Sequence, residues 1–597
     1  MRKKAKKSSQ LDQIIYYGIP VSEGVVIGNV YKFDSGISKP ILERNIRKSE
    51  IASEVLKFEN ALIQTRKELL EIQTKIAEAM GSDHADIFNA HLLVLEDSTI
   101  MEEVTKRIQH ELKNAEFIFS DVMKQFTKVF SEMQDEYLRE RISDIKDVTR
   151  RILRNIKGEK KQDLTQIKEE VVVIAYDLSP SDTVLMHKEN VVGFATDIGG
   201  KTSHTAIMAR SLGIPAVVGL HDVSRRIPLG STVILDGTKG LLIVNPVSDT
   251  LKKYSDTKSL IEIYEENLKS LKNIETVTKD GRKIELHSNI EMPEDIQSLL
   301  SHGALGVGLY RTEFCYMNRT DLPSEDELFH VYSKVVRKMN PKPVVIRTMD
   351  MGGDKFLSHL KLPVELNPFM GWRAIRFCLE RIDIFKTQMR AILRASAFGK
   401  TKIMYPMISN LNEVIQANSI LKKCMKELKN EHLDYDENIE IGIMIEIPSA
   451  AITSHFLANH VQFFSIGTND LIQYTLAVDR INERIAYLYQ PFHPGVLRLI
   501  QMVVQAASKN KVDVSVCGEM AGDPAGAIIL VGMGITKLSL SSMFIPKIKS
   551  ILRAITYAEA EDLVNKTMHC SQAVEIKELV DPIIKRVVPN FVNETVL

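Results

Sequence analysis

The stretch from Gly199 to Arg210, GGKTSHTAIMAR, places His204 where a flexible glycine pair runs into a helix-like pattern. Thr202 or Ser203 can cap the first turn, Ile207 and Met208 turn inward with Leu212, and the free backbone N–H groups of that turn suit an approaching phosphate. With an ordinary pKa of about 6.5, histidine is largely uncharged at neutral pH and serves as a nitrogen nucleophile. The same pattern also fits a histidine that only packs or caps. The rest of the chain has to decide between them.

A second set of chemical residues lies in the C-terminal half. Arg311 (in GLYRTEF), Arg347 (in IRTMD) and Arg480 (in AVDR) carry planar forks that bind phosphate or carboxylate bidentately. Each alone also fits a salt bridge at a helix end. Glu446 and Asp470 each follow an apolar run, where a carboxylate either pairs with an arginine or holds a hard cation. Two carboxylates with no nearby Cys or His point to oxygen-coordinated Mg2+ over zinc, with positions left open for substrate and water. Asn469 can donate a hydrogen bond beside such a metal. Cys517, in VCGEMAG, is either a small buried hydrophobe or, as a thiol with an ordinary pKa of about 8.5, a general acid toward an enolate.

The elements that must position these residues differ along the chain. Residues 1–16 read as a basic, disordered tail. Residues 17–44 and 158–248 carry β signals such as Val171 to Ile174 and Thr232 to Leu235, and they surround His204. Between them, residues 45–157 have almost no Gly or Pro, and Ile142, Ile145, Val148, Ile152 and Ile156 recur at helical steps. That spacing predicts a block of antiparallel helices inserted into an α/β domain, with a helical linker over 249–275. Beyond it, eight β-rich runs alternate with helix-length segments: 284–290, 306–310, 344–349, 402–407, 441–446, 463–468, 514–518 and 537–541. This predicts a closed (β/α)8 barrel over 276–597, with an open doubly wound sheet as the alternative. Arg311, Arg347, Glu446, Asn469, Asp470 and Cys517 fall at or just past the C-terminal ends of five different strands, the rim where barrel enzymes assemble their sites.

Composition narrows the classes. A chain of 597 residues exceeds one core, and 77 Lys plus Arg against 77 Asp plus Glu leave no bulk charge to draw nucleic acid or an anionic membrane. Five widely spaced cysteines without a CxxC pair fit a reducing cytoplasm. No apolar run of about 18 residues occurs, so no membrane insertion is expected.

Taken together, GGKTSHTAIMARSLGIPAVVG, GLYRTEF, IRTMDMGGDK, NPFMGWRAIR, FFSIGTNDLIQYTLAVDR and CGEMAGD resemble the Enzyme I family of the bacterial phosphotransferase system over nearly the whole chain. The resemblance implies phosphoenolpyruvate-dependent phosphorylation of His204 and transfer of the group to a histidine-containing phosphocarrier protein (HPr), the first step of sugar uptake. It implies Thr183 as orienter of His204 and Arg210 as a nearby phosphate contact. It casts Arg311, Arg347, Asn469 and Arg480 as phosphoenolpyruvate ligands, Glu446 and Asp470 as Mg2+ ligands, and Cys517 as the enolate's acid. The helical block matches the docking surface for HPr, and the barrel the part through which the family forms homodimers. Because one imidazole cannot face barrel and carrier at once, the His204 domain is expected to swing on the linker. Three positions depart from the family pattern: Glu291 replaces a usual Gly, Leu540 lies in a replaced Ser-Met-Ser, and the segment ending in Leu366 is less polar than expected. The nearest rivals are a phosphoenolpyruvate synthase or dikinase, which requires a nucleotide-binding domain not seen before His204, and a non-catalytic scaffold that binds the carrier.

Overall fold

The computed structural model describes residues 13–33, 41–80, 98–132, 142–158, 169–178, 190–200, 213–317, 319, 321–351, 367–480 and 484–588, with positions 92, 95, 167, 206, 209, 365 and 482. The chain divides into two compact units, the first made largely of residues 1–261 and the second of residues 262–593.

In the first unit the β signals assemble into one eight-stranded sheet, joined by Ile14–Tyr17, which begins in the stretch expected to be a disordered tail and pairs with Leu241–Val244. Its strands are β1 (Ile14–Tyr17), β2 (Ile19–Ser22), β3 (Val25–Phe33), β4 (Val171–Ala175), β5 (Val191–Thr196), β6 (Ala216–Val218), β7 (Thr232–Asp236) and β8 (Leu241–Val244), in the order β1-β8-β7-β3-β4-β5-β6-β2. Strands β3 to β6 run parallel and the flanking pairs antiparallel. The β4 sequence VVVIA is apolar throughout because both faces are covered: Val173 and Ala175 enter one cluster with Phe194, Val172 and Ile174 another with Leu235. Ala206 and Ala209, three residues apart on one helical face, are fully buried in the first of these clusters. Gly199 sits at φ 126°, where a side chain would be strained.

The inserted block is helical as its spacing predicts, with helices Ile51–Met80, Ser98–Glu111, Ala115–Glu132 and Ile142–Lys157. Ile145, Val148, Ile152 and Ile156 form the inward stripe of the last helix and share a separate core with Phe58, Leu69, Ile108 and Phe119. The predicted linker becomes helix Ser248–Ser270, which buries none of its residues.

The second unit contains the closed barrel rather than an open sheet. Strands β9 (Glu285–Ile290), β10 (Val307–Tyr310), β11 (Val344–Arg347), β12 (Thr401–Tyr405), β13 (Glu440–Ile445), β14 (Phe463–Ile466), β15 (Asp513–Val516) and β16 (Lys537–Leu540) are all parallel, and β16 pairs back onto β9. Most strands stop one or two residues short of the apolar runs that announce them. At β11 and β12 the reason is chemical: the amides just past the strand bond to side chains. Met349 N–H donates to Gln388 at 2.9 Å, Asp350 N–H to Glu313 at 3.1 Å, and Met407 N–H to Glu446 at 2.6 Å. The rim residues thus begin where the sheet ends. Among the described residues no helix is long and apolar enough to cross a membrane.

The helical block's separate core gives a direct check. Phe119 is buried, with its ring 5.5 Å from that of Phe58. Phe119→Ala should destabilise the block by about 3–5 kcal/mol, read as an earlier loss of helical signal in denaturant; an unchanged midpoint would remove this ring from the core.

Candidate active site at the barrel rim

Arg311, Arg347, Glu446, Asn469, Asp470, Arg480 and Cys517 line one cavity of about 340 Å3 at the C-terminal ends of the strands. The order in which they converge follows from the barrel. Leu309 and Tyr310 stand in register beside Asn289 and Ile290, so the next residues, Arg311 and Glu291, leave adjacent strands side by side and form an ion pair. Arg347 closes β11 and is 8% exposed. Asn469 and Asp470 open helix Thr468–Leu476 directly after β14, and Cys517 follows β15.

Arg347 is the most enclosed of the arginines. One nitrogen donates to Glu313 at 2.7 Å and another pairs with Asp350 at 2.9 Å. Asp350 also accepts from Arg373 at 2.7 Å. Burial pushes the Asp350 carboxyl up, but the Arg347 and Arg373 guanidinium groups overbalance it and hold it below the usual carboxylate range. The backbone beneath is locked by a buried polar chain. Thr312 donates to the Arg347 carbonyl at 2.9 Å, and Gln388 donates to Thr312 at 3.0 Å and to Tyr332 at 3.1 Å. Arg347 Nε and Arg373 Nε are buried without a hydrogen-bond partner among the described residues.

Glu446 and Asp470 have the opposite electrostatics. Burial first, then the charges of Asp350 and Asp470, push the Glu446 carboxyl up to about 8, and burial and Asp350 raise Asp470 as well. Two enclosed carboxylates with too little positive charge suit a hard, oxygen-seeking cation whose remaining positions are filled by substrate and water. Among the described residues no three His, Cys, Asp or Glu side chains form a ready-made cage. A side chain at Gly467 would lie 2.9 Å from Glu446 Oε2, and one at Gly518 would collide with Thr468 Oγ1 at 1.9 Å. Both glycines therefore keep this floor open. Met407 and Ala374, beside Glu446 and Arg373, hold left-handed conformations (φ 56° and 53°), strain that the surrounding packing must impose.

Cys517 is 3% exposed, its Sγ 3.7 Å from the Ile466 carbonyl oxygen. Burial pushes its thiol up to about 11, so at neutral pH it holds its proton. Asn289 fixes the Cys517 carbonyl at 3.0 Å and is itself held by Ser539 at 2.6 Å. Arg480 and Asn469 share Glu519, at 3.3 and 3.0 Å.

His204, Thr183 and Arg210 lie outside the described residues, as do Thr202, Ser203, Ile207, Met208, Leu212 and Leu366. The residues that sequence reasoning missed are Glu313, Asp350, Arg373 and Gln388. The first two sit two and three positions after an arginine already singled out, a spacing that hints at their role. Gln388 lies inside helix Ile382–Ser396, where nothing local marks it.

Comparisons with known proteins follow the same division. A model of the PEP-binding domain of PEP-utilising enzymes matches residues 265–557, that of their N-terminal domain residues 17–141, and that of their mobile domain residues 167–240. The chain is 44% identical over 95% of its length to the phosphoenolpyruvate-protein phosphotransferase of Staphylococcus aureus strain MRSA252, covering 99% of that protein. It is 45% identical over 94% of its length to that of Bacillus sp. strain S, covering 97%, and 44% identical over 94% to that of Listeria innocua serovar 6a, covering 98%.

The raised Glu446 carboxyl sets a pH dependence. A folded-state pKa above the ordinary value means the folded protein holds this proton more tightly, so stability falls as pH rises from the usual carboxylate range toward about 8. Without divalent cations, Glu446→Gln keeps the acceptor for Met407, removes the charge, and should melt above wild type at about pH 8. A variant that melts at or below wild type there would show that the charge is compensated.

Proposed function

The chain belongs to the phosphoenolpyruvate-protein phosphotransferase family, and from that premise we propose that it takes a phosphoryl group from phosphoenolpyruvate onto His204 and passes it to a histidine of a phosphocarrier protein. The observation that carries the reading is the convergence of Arg311, Arg347, Asn469 and Arg480 with Glu446, Asp470 and Cys517 on a single cavity. Three guanidinium groups match a substrate carrying both phosphate and carboxylate. A thiol that keeps its proton matches an enolate leaving group.

In this reading Arg311, Arg347 and Arg480 neutralise the substrate's anionic groups and Asn469 orients it. Glu446 and Asp470 would hold Mg2+, which supplies charge neutralisation of the phosphoryl oxygens. A nitrogen of His204 attacks phosphorus in line, and the bond from phosphorus to the enol oxygen breaks. The oxygen's electron pair re-forms the carbonyl while the methylene carbon takes the proton from Cys517 Sγ, giving pyruvate and a thiolate that solvent reprotonates. Because phosphoryl transfer depends on placement and charge more than on covalent assistance, the arginines contribute most of the acceleration. Thr183 and Arg210 are assigned to orient His204 and its phosphoryl group.

The relatives' names specify a protein as acceptor. The helical block at 45–157, with a core of its own, is the platform assigned to HPr, and residues 17–44 with 158–248 form the domain that carries His204. Phosphoryl relay requires that domain to serve barrel and carrier in turn, through the linker at 249–275. The barrel domain at 276–597 is the assigned homodimer contact, and a protein with no described membrane-crossing helix fits work in the cytoplasm at the head of sugar uptake.

Incubation with labelled phosphoenolpyruvate and Mg2+ should place an acid-labile label on the wild-type chain, none on His204→Ala, and none after chelation of the metal. Undiminished label on His204→Ala would defeat the reading. Cys517→Ala should slow pyruvate release by about 10²-fold or more while leaving the apparent affinity for phosphoenolpyruvate little changed; an unchanged rate would remove the thiol from the mechanism. Sedimentation should find a dimer that isolated residues 1–248 do not form, and a monomeric full chain would sink the assigned homodimer.

A further inference from the structure

The arginines of the cavity are held by carboxylates in two different ways. The partners of Arg347 are parts of the floor: the side chains of Glu313 and Asp350 are 17% and 4% exposed, and Asp350 is shared with Arg373. Among the described residues the Arg311 side chain is held by Glu291, and here the two side chains are 39% and 60% exposed. The pair forms because the last residues of β9 and β10 are matched, Asn289 with Leu309 and Ile290 with Tyr310, and so release Glu291 and Arg311 at the same height. The Glu291 backbone is anchored, since its own amide and that of Met292 both donate to Asp295 at 3.0 Å, while Arg311 N–H donates to the Ile290 carbonyl at 3.0 Å. The carboxylate at the end of that fixed backbone reaches the same guanidinium fork that faces the cavity, and both residues also line a neighbouring cavity of about 840 Å3.

We propose that Glu291 is an affinity-setting residue: its carboxylate occupies Arg311 in the empty site, and the anionic substrate must displace it. This rests on the reading of Arg311 as a phosphoenolpyruvate ligand. A guanidinium engaged with Glu291 presents fewer free donors to the substrate, so the apparent affinity is reduced by the fraction of molecules in which Arg311 is free. The pair is exposed at the mouth rather than locked in the floor, so the exchange is reversible and its effect modest. Once the substrate has taken the fork, the displaced carboxylate swings outward on its anchored backbone, and the chemical step proceeds without it. Glu291 therefore acts on KM and leaves kcat alone.

Steady-state pyruvate release by the full chain, with Mg2+ and carrier protein at saturation and phosphoenolpyruvate varied, separates the possibilities. Glu291→Gln, which keeps the side chain's size, and Glu291→Ala should each lower KM by about two- to fivefold with kcat held. In an Arg311→Ala background, Glu291→Gln should change nothing, because the competing pair no longer exists. If Glu291→Gln leaves KM unchanged or raises it while Arg311→Ala raises KM sharply, the inference falls and the substrate assignment survives. If Glu291→Gln lowers KM equally in both backgrounds, the carboxylate acts as a general negative charge and the displacement idea is overturned. If Arg311→Ala itself leaves KM unchanged, the underlying assignment of Arg311 fails. Both variants lie on an exposed side chain, and a loss of folded signal in either would also count against a purely competitive role.

Discussion

A guanidinium that cannot give up its proton is enclosed at the mouth of the barrel, and the rest of the site is arranged around that charge. Arg347 is nearly sealed from solvent, so leaving it uncompensated would cost several kcal/mol. Glu313 and Asp350 supply the compensation, Asp350 draws in Arg373, and Thr312 with Gln388 freezes the backbone that carries Arg347. These five partners come from four places: Thr312 and Glu313 from the turn after β10, Asp350 from the segment just past β11, Arg373 from the segment before helix Ala374–Glu380, and Gln388 from helix Ile382–Ser396. One buried charge therefore ties four parts of the barrel to the geometry of its rim.

The same charge divides the acidic residues by role. Asp350 has two arginines and stays ionised, a structural carboxylate. Glu446 and Asp470 share the enclosure but not the compensation, and their raised pKa values express the missing positive charge. Carboxylates that differ in environment by this much over one small cavity suit different work: one keeps the arginines in place, and in the proposed reading the other two hold a cation. Cys517 follows the same logic in reverse. Its enclosure, which would make a carboxylate reluctant to ionise, makes a thiol a dependable proton carrier.

The first unit is built on a different principle. Its sheet buries both faces with strands such as β4, and the helical block brings its own core. Ala206 and Ala209, the described residues just after His204, are small and wholly buried against one face of the sheet. The linker helix Ser248–Ser270 has no fully buried residue, its Leu251, Tyr254 and Ile261 being only partly covered against Val25, Ile234 and Ile243, and the division between the two compact units falls within it.

Much of this was legible in the chain itself. Apolar β-rich runs and period-3.6 spacing announced most of the sheet, the helical block and all eight barrel strands, because burial of one face or both is a local demand on sequence. The positions of Arg311, Arg347, Glu446, Asn469, Asp470 and Cys517 after their strands identified the rim, since a parallel barrel puts every strand end on one side. What only tertiary structure decided is how the charges are shared. That Glu291 meets Arg311 depends on the register of β9 against β10, and that Gln388 supports Arg347 depends on a helix some forty residues away folding onto it. The ends of β11 and β12 were misjudged for the same reason: the amides past them bond to side chains from distant segments, and hydrogen bonds between residues far apart in sequence leave no period to read.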